Sequence, residues 1–461
     1  MTEKYIKDPI KLIDLTKTEC YSLPRESVEE IRLEVLRNRF AQLKETVPML
    51  THLANSQNIS EIQSLEDIGP LLFRQNTYKS YPAKWLENCE FNKLTTWLGK
   101  LTATDISHID ASGCELIEDW LKLLEEETDL LVNYSSTLGG KLTFIPRSKD
   151  DWNAFCTIWL GSIELFGDNA GDTSLKKGVD VVPILFPGPK KGYRAQNHLF
   201  RKYEEWFGDD LVVTPMDELN ADLMSVAGRV ATASKKGELG AVTINPKLLE
   251  MKKKIQADKE AAPKKMEDWF EYISKDCLGQ RVIIYGTRNL IWDLVEKCVD
   301  RGIKGAFSSD SVVKYGGVFP DGNEPEGWLT TTQEVLGIPA EQFFEAYGAS
   351  EVLSVLDRCE NGHYHIPPTV IPYLLNPETG ELLQRTGKSK GQLAFFDLLA
   401  ENYWGGIITP DEATVNWESD CGCGRTGQYI EGDITQLSEA DKINCSGTTK
   451  AHDDAADFII G

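Results

Sequence analysis

Short apolar runs that alternate with helical stretches constrain this chain more than any other feature. Residues 179–187 (VDVVPILFP) read as a buried strand closed by Pro-Gly-Pro. Residues 281–286 (RVIIYG) read as a second, with a helix following through Asp300. Apolar runs of this kind, bounded by turn residues, fit strands covered on both faces. A parallel partner is reached only by a long crossover, so strands alternating with helices favour parallel pairing. GIKGAFSS, the pair Gly316-Gly317 and AYGASE then mark further strands and turns. The prediction is an α/β protein with mixed sheets and flanking helices, and no repeat at solenoid spacing interrupts it.

Three helical stretches accompany the strands. Over residues 24–46, Ser27 and Glu30 have the spacing of a capping box, and Ile31, Val35, Leu36, Phe40 and Leu43 form an apolar stripe. Residues 113–132 form a second amphipathic helix. Residues 241–268 are Lys-rich and helical, which predicts a solvated helix or a mobile connection. Between them, NYSSTLGGKLTFIPRS turns from small hydroxylated residues to a strand-like run at Leu142–Ile145.

Composition narrows the function classes. With 41% apolar residues, 11 Trp, 15 Tyr and 17 Phe, the chain can bury large cores, which excludes wholesale disorder. Acidic residues outnumber basic ones 72 to 49, a net charge of −23. Nucleic acid and anionic membrane surfaces are therefore excluded as general partners, and an anionic small ligand needs a local basic pocket. The N-terminal stretch lacks the apolar core of a secretory signal, and no apolar run is long enough to span a bilayer. A cytoplasmic location is the expectation. Ten cysteines are present; six are scattered singly, as small buried hydrophobes usually are.

Three of the remaining four belong to a cluster between residues 357 and 427, and Cys445 lies beyond it. DRCENGHYHIPP supplies Cys359, His363 and His365, and WESDCGCGRTG supplies Cys421 and Cys423. Two short turns carrying soft and borderline donors are what a tetrahedral structural zinc site requires, and Gly422 and Gly424 let the second turn wrap tightly. The candidate ligands are Cys359, His365, Cys421 and Cys423. His363 competes with His365, because alternate residues of an extended segment point the same way. The alternative is a set of unrelated thiols in turns.

Four separated segments suggest nucleotide chemistry only when taken together. Ser135-Ser136-Thr137-Leu138-Gly139-Gly140-Lys141 is a hydroxyl- and glycine-rich turn whose N–H groups, hydroxyls and lysine suit phosphate oxygens. Gly316 and Gly317 allow a backbone to approach a flat ring. Tyr347-Gly348-Ala349-Ser350-Glu351 combines an aromatic, a tight turn, a hydroxyl and a carboxylate suited to magnesium. Thr409-Pro410-Asp411 places an acid where ribose hydroxyls need an acceptor.

In that order the segments resemble the adenylate-forming superfamily, which activates carboxylates as acyl-AMP. The Cys/His cluster looks like the zinc site of its phenylacetate–CoA ligase-like branch. FRQNTYKSYP (73–82) and WLGKLTATDIS (97–107) look like the acyl-protein synthetase of the bioluminescence fatty-acid reductase complex. The resemblance covers roughly residues 24–437 and implies a large adenylate-forming domain over 1–430, a zinc-binding insertion at about 357–427 and a short segment over 431–461. It implies ATP and magnesium as reaction partners and structural zinc. It assigns Lys141 and Glu351 to catalysis, and Ser135, Ser136, Thr137, Gly139, Gly140, Gly316, Gly317, Tyr347, Gly348, Ser350, Asp411 and Arg425 to the nucleotide. The acid would be fatty or aryl, with Trp152, Trp159, Phe166 and Phe186 as available aromatic bulk. The acceptor would be Cys445 of the chain itself, CoA, an amine, or a carrier or reductase protein.

Two segments depart from the family pattern. Thr137, Leu138 and Gly139 stand where Gly-Thr-Thr is usual, and Pro410 replaces the glycine of Thr-Gly-Asp. These changes leave open a nucleotide-free, zinc-stapled interaction protein of the same fold. The chain stops 28 residues after Asp433, whereas family ligases carry a mobile domain of roughly a hundred residues there. That shortness favours the acyl-protein synthetase expectation. Lys442 and Lys450 are the tail lysines available to offset charge, and Cys445 is the tail thiol.

Overall fold

The computed structural model of the chain describes residues 2–136, 141–164, 175, 181–317, 319, 323–437 and 459. It divides into two compact units. One comprises Met1–Ser135, Thr143–Leu165 and Tyr347–Lys442; the other comprises Ser136–Leu142, Phe166–Ala346 and Ile443–Gly461.

In the first unit the helix expected at 24–46 forms at Arg25–Thr46 and buries Ile31, Val35, Leu36, Phe40 and Leu43. The Ser27 capping box does not form, because the N-cap is Pro24 and the helix starts before Ser27. Proline's fixed φ and missing N–H suit a helix entry. Arg32 and Arg39 are buried on the same helix. The Arg32 guanidinium donates to Glu29 and Gln428 at 2.8 Å each and to the Pro367 carbonyl at 3.0 Å. Arg39 donates to the Leu398 carbonyl and pairs with Glu401. The helix is thus pinned to segments more than 300 residues away along the chain by guanidinium-to-carbonyl bonds as well as apolar burial.

The second amphipathic helix is shorter than expected, Ile117–Glu127. Asp119 starts it by accepting the Leu116 and Glu115 N–H groups at 2.9 and 3.1 Å. The principal sheet of this unit is antiparallel, in the order Tyr364–His365, Tyr429–Gln436, Gly406–Asn416, Lys388–Asp397, Val370–Leu375. Phe73–Arg74 adds to Gly406–Asn416 in parallel. Val370–Leu375 is buried at every position, so its near-continuous apolar run reflects cover on both faces.

The second unit holds a parallel sheet in the order Phe343–Tyr347, Val312–Gly316, Ile283–Thr287, Ile184–Leu185, Val212–Val213. The strand expected at 281–286 and the helix after it are present as Ile283–Thr287 and Arg288–Asp300. Only Ile184–Leu185 of the run 179–187 is strand among the described residues. Ile291, Leu294 and Val295 of the helix meet Trp269, Phe270, Ile284 and Val313 in one apolar core. The Lys-rich stretch forms Pro246–Glu250 and Lys252–Tyr272. It is a solvated helix rather than a mobile connection: Lys252, Lys253 and Lys254 are exposed while Leu248 and Ile255 are buried, and just beyond the stretch the Trp269 indole N–H donates to the Val213 carbonyl at 3.1 Å.

Glu29 offers a test of the guanidinium pinning. Burial alone would raise its pKa, but Arg32 and Arg385 outweigh that and lower it from 4.5 to about 2. A carboxylate whose folded pKa is depressed adds stability above its unfolded pKa and loses it as pH falls toward the folded one. Glu29→Gln therefore lowers the unfolding free energy at neutral pH by about 1–3 kcal/mol, and the gap to wild type closes between about pH 4.5 and pH 2 in urea denaturation.

Candidate active site and metal centre

The segment Gly348–Val352 follows the strand Phe343–Tyr347 and forms no strand pairing among the described residues, so its backbone, buried at Glu351 and Val352, needs other hydrogen-bond partners. Side chains of the first unit supply them. One terminal nitrogen of Arg147 donates to the Ser350 and Val352 carbonyls at 2.8 and 2.9 Å, and the Tyr403 hydroxyl donates to the Glu351 carbonyl at 3.0 Å. Three consecutive carbonyls are thus satisfied from outside the segment. Arg147 is itself fully buried, and its guanidinium lies 4.6 Å from the Trp152 ring and 5.2 Å from the Phe155 ring. Asp397 holds the next residues: it accepts the N–H groups of Leu353, Ser354 and Leu399 at 2.8–2.9 Å.

This bracing fixes two acids. Glu351 is buried, and desolvation raises its pKa, opposed by the charges of Arg147 and Lys79. Lys79 comes from the FRQNTYKSYP run. A divalent cation beside Glu351 would restore its charged form. Asp411 lies on the strand Gly406–Asn416, opposite Gln436, and accepts a 2.6 Å hydrogen bond from the Tyr347 hydroxyl. Burial, then Asp411, pushes the Tyr347 phenol well above its usual pKa, so it stays a donor. Tyr347 and Asp411, predicted separately, therefore meet. Pro410 interrupts neither strand nor site, because Leu437 N–H donates to its carbonyl at 2.9 Å. Gly348 has no positive φ, and an added Cβ would reach only Val355 at 3.8 Å.

In the second unit, Gly316 and Gly317 lie at the carboxyl end of a parallel strand, where ligands of open α/β sheets bind. Gly316 is required for a packing reason the sequence did not reveal: a Cβ there would lie 2.6 Å from the Ala346 carbonyl. Gly317 has a φ of +73°, which favours glycine. Of the predicted phosphate turn, Ser135 and Ser136 end the strand Asn133–Ser136, and half-buried Lys141 precedes Leu142–Ile145. Thr137, Gly139 and Gly140 lie outside the described residues, as do Phe166, Lys442, Cys445 and Lys450.

The Cys/His cluster assembles in the first unit. The donor atoms of Cys359, His365, Cys421 and Cys423 all lie within 4.8 Å of one another. Cys359 starts a turn closed by Gly362 N–H donating to the Cys359 carbonyl at 2.9 Å. His365 faces inward from a strand residue paired with Tyr429. Gly422 and Gly424 have φ of +83° and +86°, as their predicted wrapping role requires. Cys359 and Cys421 sulfurs are 3.6 Å apart, and Cys423 lies 3.2 Å from His365 Nε2. His363 plays a different part: its Nδ1 is 3.0 Å from Cys421 Sγ, and its ring stacks on Tyr429 at 4.8 Å. Burial holds His365 neutral, at a pKa of about 3, and pushes Cys421 up to about 12. A neutral imidazole and three crowded thiols are the donor set that a soft dication converts to ligands. Arg425 sits beside this centre, its guanidinium 5.6 Å from the Tyr21 ring. The sequence reading assigned no role to Arg147 as a brace, to Asp397 or to Tyr403; only Arg147 had a sequence cue, its place just after the Leu142–Ile145 strand.

No family profile and no curated protein matches the sequence. Solved structures do. The chain is similar to 2-hydroxyisobutyryl-CoA ligase in an open conformation bound to 2-HIB-AMP and CoA, with a TM-score of 0.53, 11% identity, and coverage of 92% of this chain and 78% of that one. The same ligase in its postadenylation state with 2-HIB-AMP gives a TM-score of 0.51 at 11% identity, covering 90% and 69%. The chain has the fold of the adenylate-forming ligases. Among the described residues, no helix is long and apolar enough to cross a membrane.

The bracing of Tyr347–Val352 generates a direct test. Arg147→Met removes two charge-assisted bonds to buried carbonyls and lowers the unfolding free energy by about 3 kcal/mol, read by chemical denaturation. Arg147→Met at wild-type stability contradicts the brace.

Proposed function

We propose that the protein activates a carboxylic acid with ATP and passes the acyl group to a thiol. The observation that carries this reading is the Tyr347–Asp411 hydrogen bond beside a buried, braced Glu351, on a chain with the adenylate-forming fold. A carboxylate oxygen attacks the α-phosphorus, forming a phosphorus–oxygen bond as the bond to pyrophosphate breaks. In-line displacement of this kind is catalysed chiefly by positioning and charge stabilisation.

Asp411, held by Tyr347, accepts bonds from ribose hydroxyls. Gly316 and Gly317 present backbone to the adenine, and Ser135, Ser136, Thr137, Gly139, Gly140 and Lys141 receive the phosphates. Ser350 and Gly348 border the α-phosphate, and Arg425 adds positive charge. Glu351 would hold a magnesium ion, whose chemistry would be to offset phosphate charge. In the second half-reaction a thiolate sulfur attacks the acyl carbon and AMP leaves with the bonding electrons. The thiol belongs to CoA, to Cys445 or to a protein acceptor. Cys359, His365, Cys421 and Cys423 would hold one structural zinc, which would tie their two turns together.

Substrate-dependent exchange of pyrophosphate into ATP tests the activation step. Wild type exchanges with a member of a fatty and aryl acid panel, and Glu351→Gln lowers the rate by about 100-fold or more. Absence of exchange across the panel would sink the reading. Gly348→Ala separates ligand binding from folding: the free protein has room for the methyl group, so the melting temperature holds while the KM for ATP rises. For the metal, elemental analysis gives one zinc per chain. Cys423→Ser loses it, and chelation lowers the melting temperature.

A further inference from the structure

Charge is distributed unevenly along this chain. Residues 229–265 carry ten Lys and Arg against four Asp and Glu, whereas the remainder carries 39 against 68. A segment of net charge +6 therefore sits in a background of −29. The structure gathers that segment into one feature of the second unit. The helix Ala221–Lys236 packs Val226 and Ala227 against Leu248 of Pro246–Glu250 and Ile255 of Lys252–Tyr272. The Arg229 guanidinium ties the first helix to the connection by donating to the Thr243 carbonyl at 2.6 Å.

Lys235 and Lys236 end the helix Ala221–Lys236, and Lys252, Lys253 and Lys254 begin the helix Lys252–Tyr272; all five are exposed. None of the five makes an ion pair among the described residues, whereas Lys247, Lys264 and Lys265 pair with Glu250, Asp268 and Asp217. Leu239 and Leu249, in the same helical cluster, are 44% and 46% exposed. Exposed apolar residues bordered by a polar rim follow the anatomy of a protein interface, and a positive patch adds steering toward a negative partner.

We propose that this basic, leucine-bearing surface docks an acidic protein, the acceptor of the activated acyl group; the acceptor role rests on the function proposed above. Length argues for a protein rather than a single nucleotide phosphate, because the helix Lys252–Tyr272 alone has 21 residues and extends about 30 Å. Sign argues against an extended polyanion. Screening limits each contact to roughly 8 Å, so a compact acidic face feels the local +6, while a long duplex also meets the strongly acidic remainder.

The test uses the full chain and three probes: an acidic, phosphopantetheine-bearing acyl carrier protein, CoA alone and a DNA duplex. Binding is read by biolayer interferometry at low and physiological salt, with pyrophosphate exchange measured in parallel. Wild type binds the carrier protein, and added salt weakens it. The variant K235E/K236E/K252E/K253E binds at least about tenfold more weakly, with unchanged exchange and melting temperature. The control K93E/K122E, on other exposed lysines, binds as wild type does. Leu239→Ser/Leu249→Ser weakens binding but keeps the salt dependence. The proposal is overturned if the carrier protein does not bind, if the reversal leaves its affinity intact, or if the duplex binds as tightly through the same lysines. Carrier binding without any exchange overturns the activation reading and, with it, the acceptor role, while the docking surface stands.

Discussion

The site depends on one constraint: a partly buried stretch of backbone without a strand partner among the described residues must find donors for its carbonyls. Ser350, Glu351 and Val352 find them in Arg147 and Tyr403, and the N–H groups that follow find an acceptor in Asp397. Each bond goes to the main chain, so the conformation of the segment is fixed independently of its own side chains. The Glu351 carboxyl is then free to face a cation while its backbone is held. A lysine in place of Arg147 would have to serve both carbonyls from a single flexible ammonium, whereas the planar guanidinium does so while stacked on Trp152 and Phe155.

Periodicity made the large elements legible. The apolar stripe of Arg25–Thr46, the strand Ile283–Thr287 and the helix through Asp300 came from spacing alone, because each buries a face that its own sequence repeats. What spacing could not show was long-range polarity. Arg32 and Arg39 are two of the most hydrophilic residues on their helix, yet they are buried because carbonyls and carboxylates over 300 residues away meet them. The start of that helix was misread for a local reason: a proline entry overrode a well-spaced capping box. At Gly316 the sequence could not show a packing reason for glycine: a neighbouring strand's carbonyl occupies the space a side chain would need.

The metal centre was legible to a finer level because its chemistry restricts the residue types. Cysteine and histidine on glycine-bounded turns left one ambiguity, His363 against His365, and alternation along a strand could not resolve it. Position does. His365, opposite Tyr429 on the paired strand, joins the three thiols, and His363 stacks on the same tyrosine and approaches Cys421 from one side. His365 thus belongs to the candidate donor set, and His363 is its neighbour beside Cys421.

Electrostatics then connects the local sites to the chain as a whole. For a chain of net charge −23, receiving any anion means working against its own field, so positive charge must be concentrated where an anion is to be received. Near Glu351 that charge is Arg147 and Lys79, both close enough to oppose the rise in its pKa. On the surface it is Lys235, Lys236, Lys252, Lys253 and Lys254, which make no ion pair among the described residues. The two concentrations serve different ranges. A buried guanidinium acts over a few ångströms in a poorly screened interior, and surface lysines act out to about a Debye length on whatever approaches. Acidity elsewhere sharpens both, since an anion repelled from most of the surface is left with few places to bind.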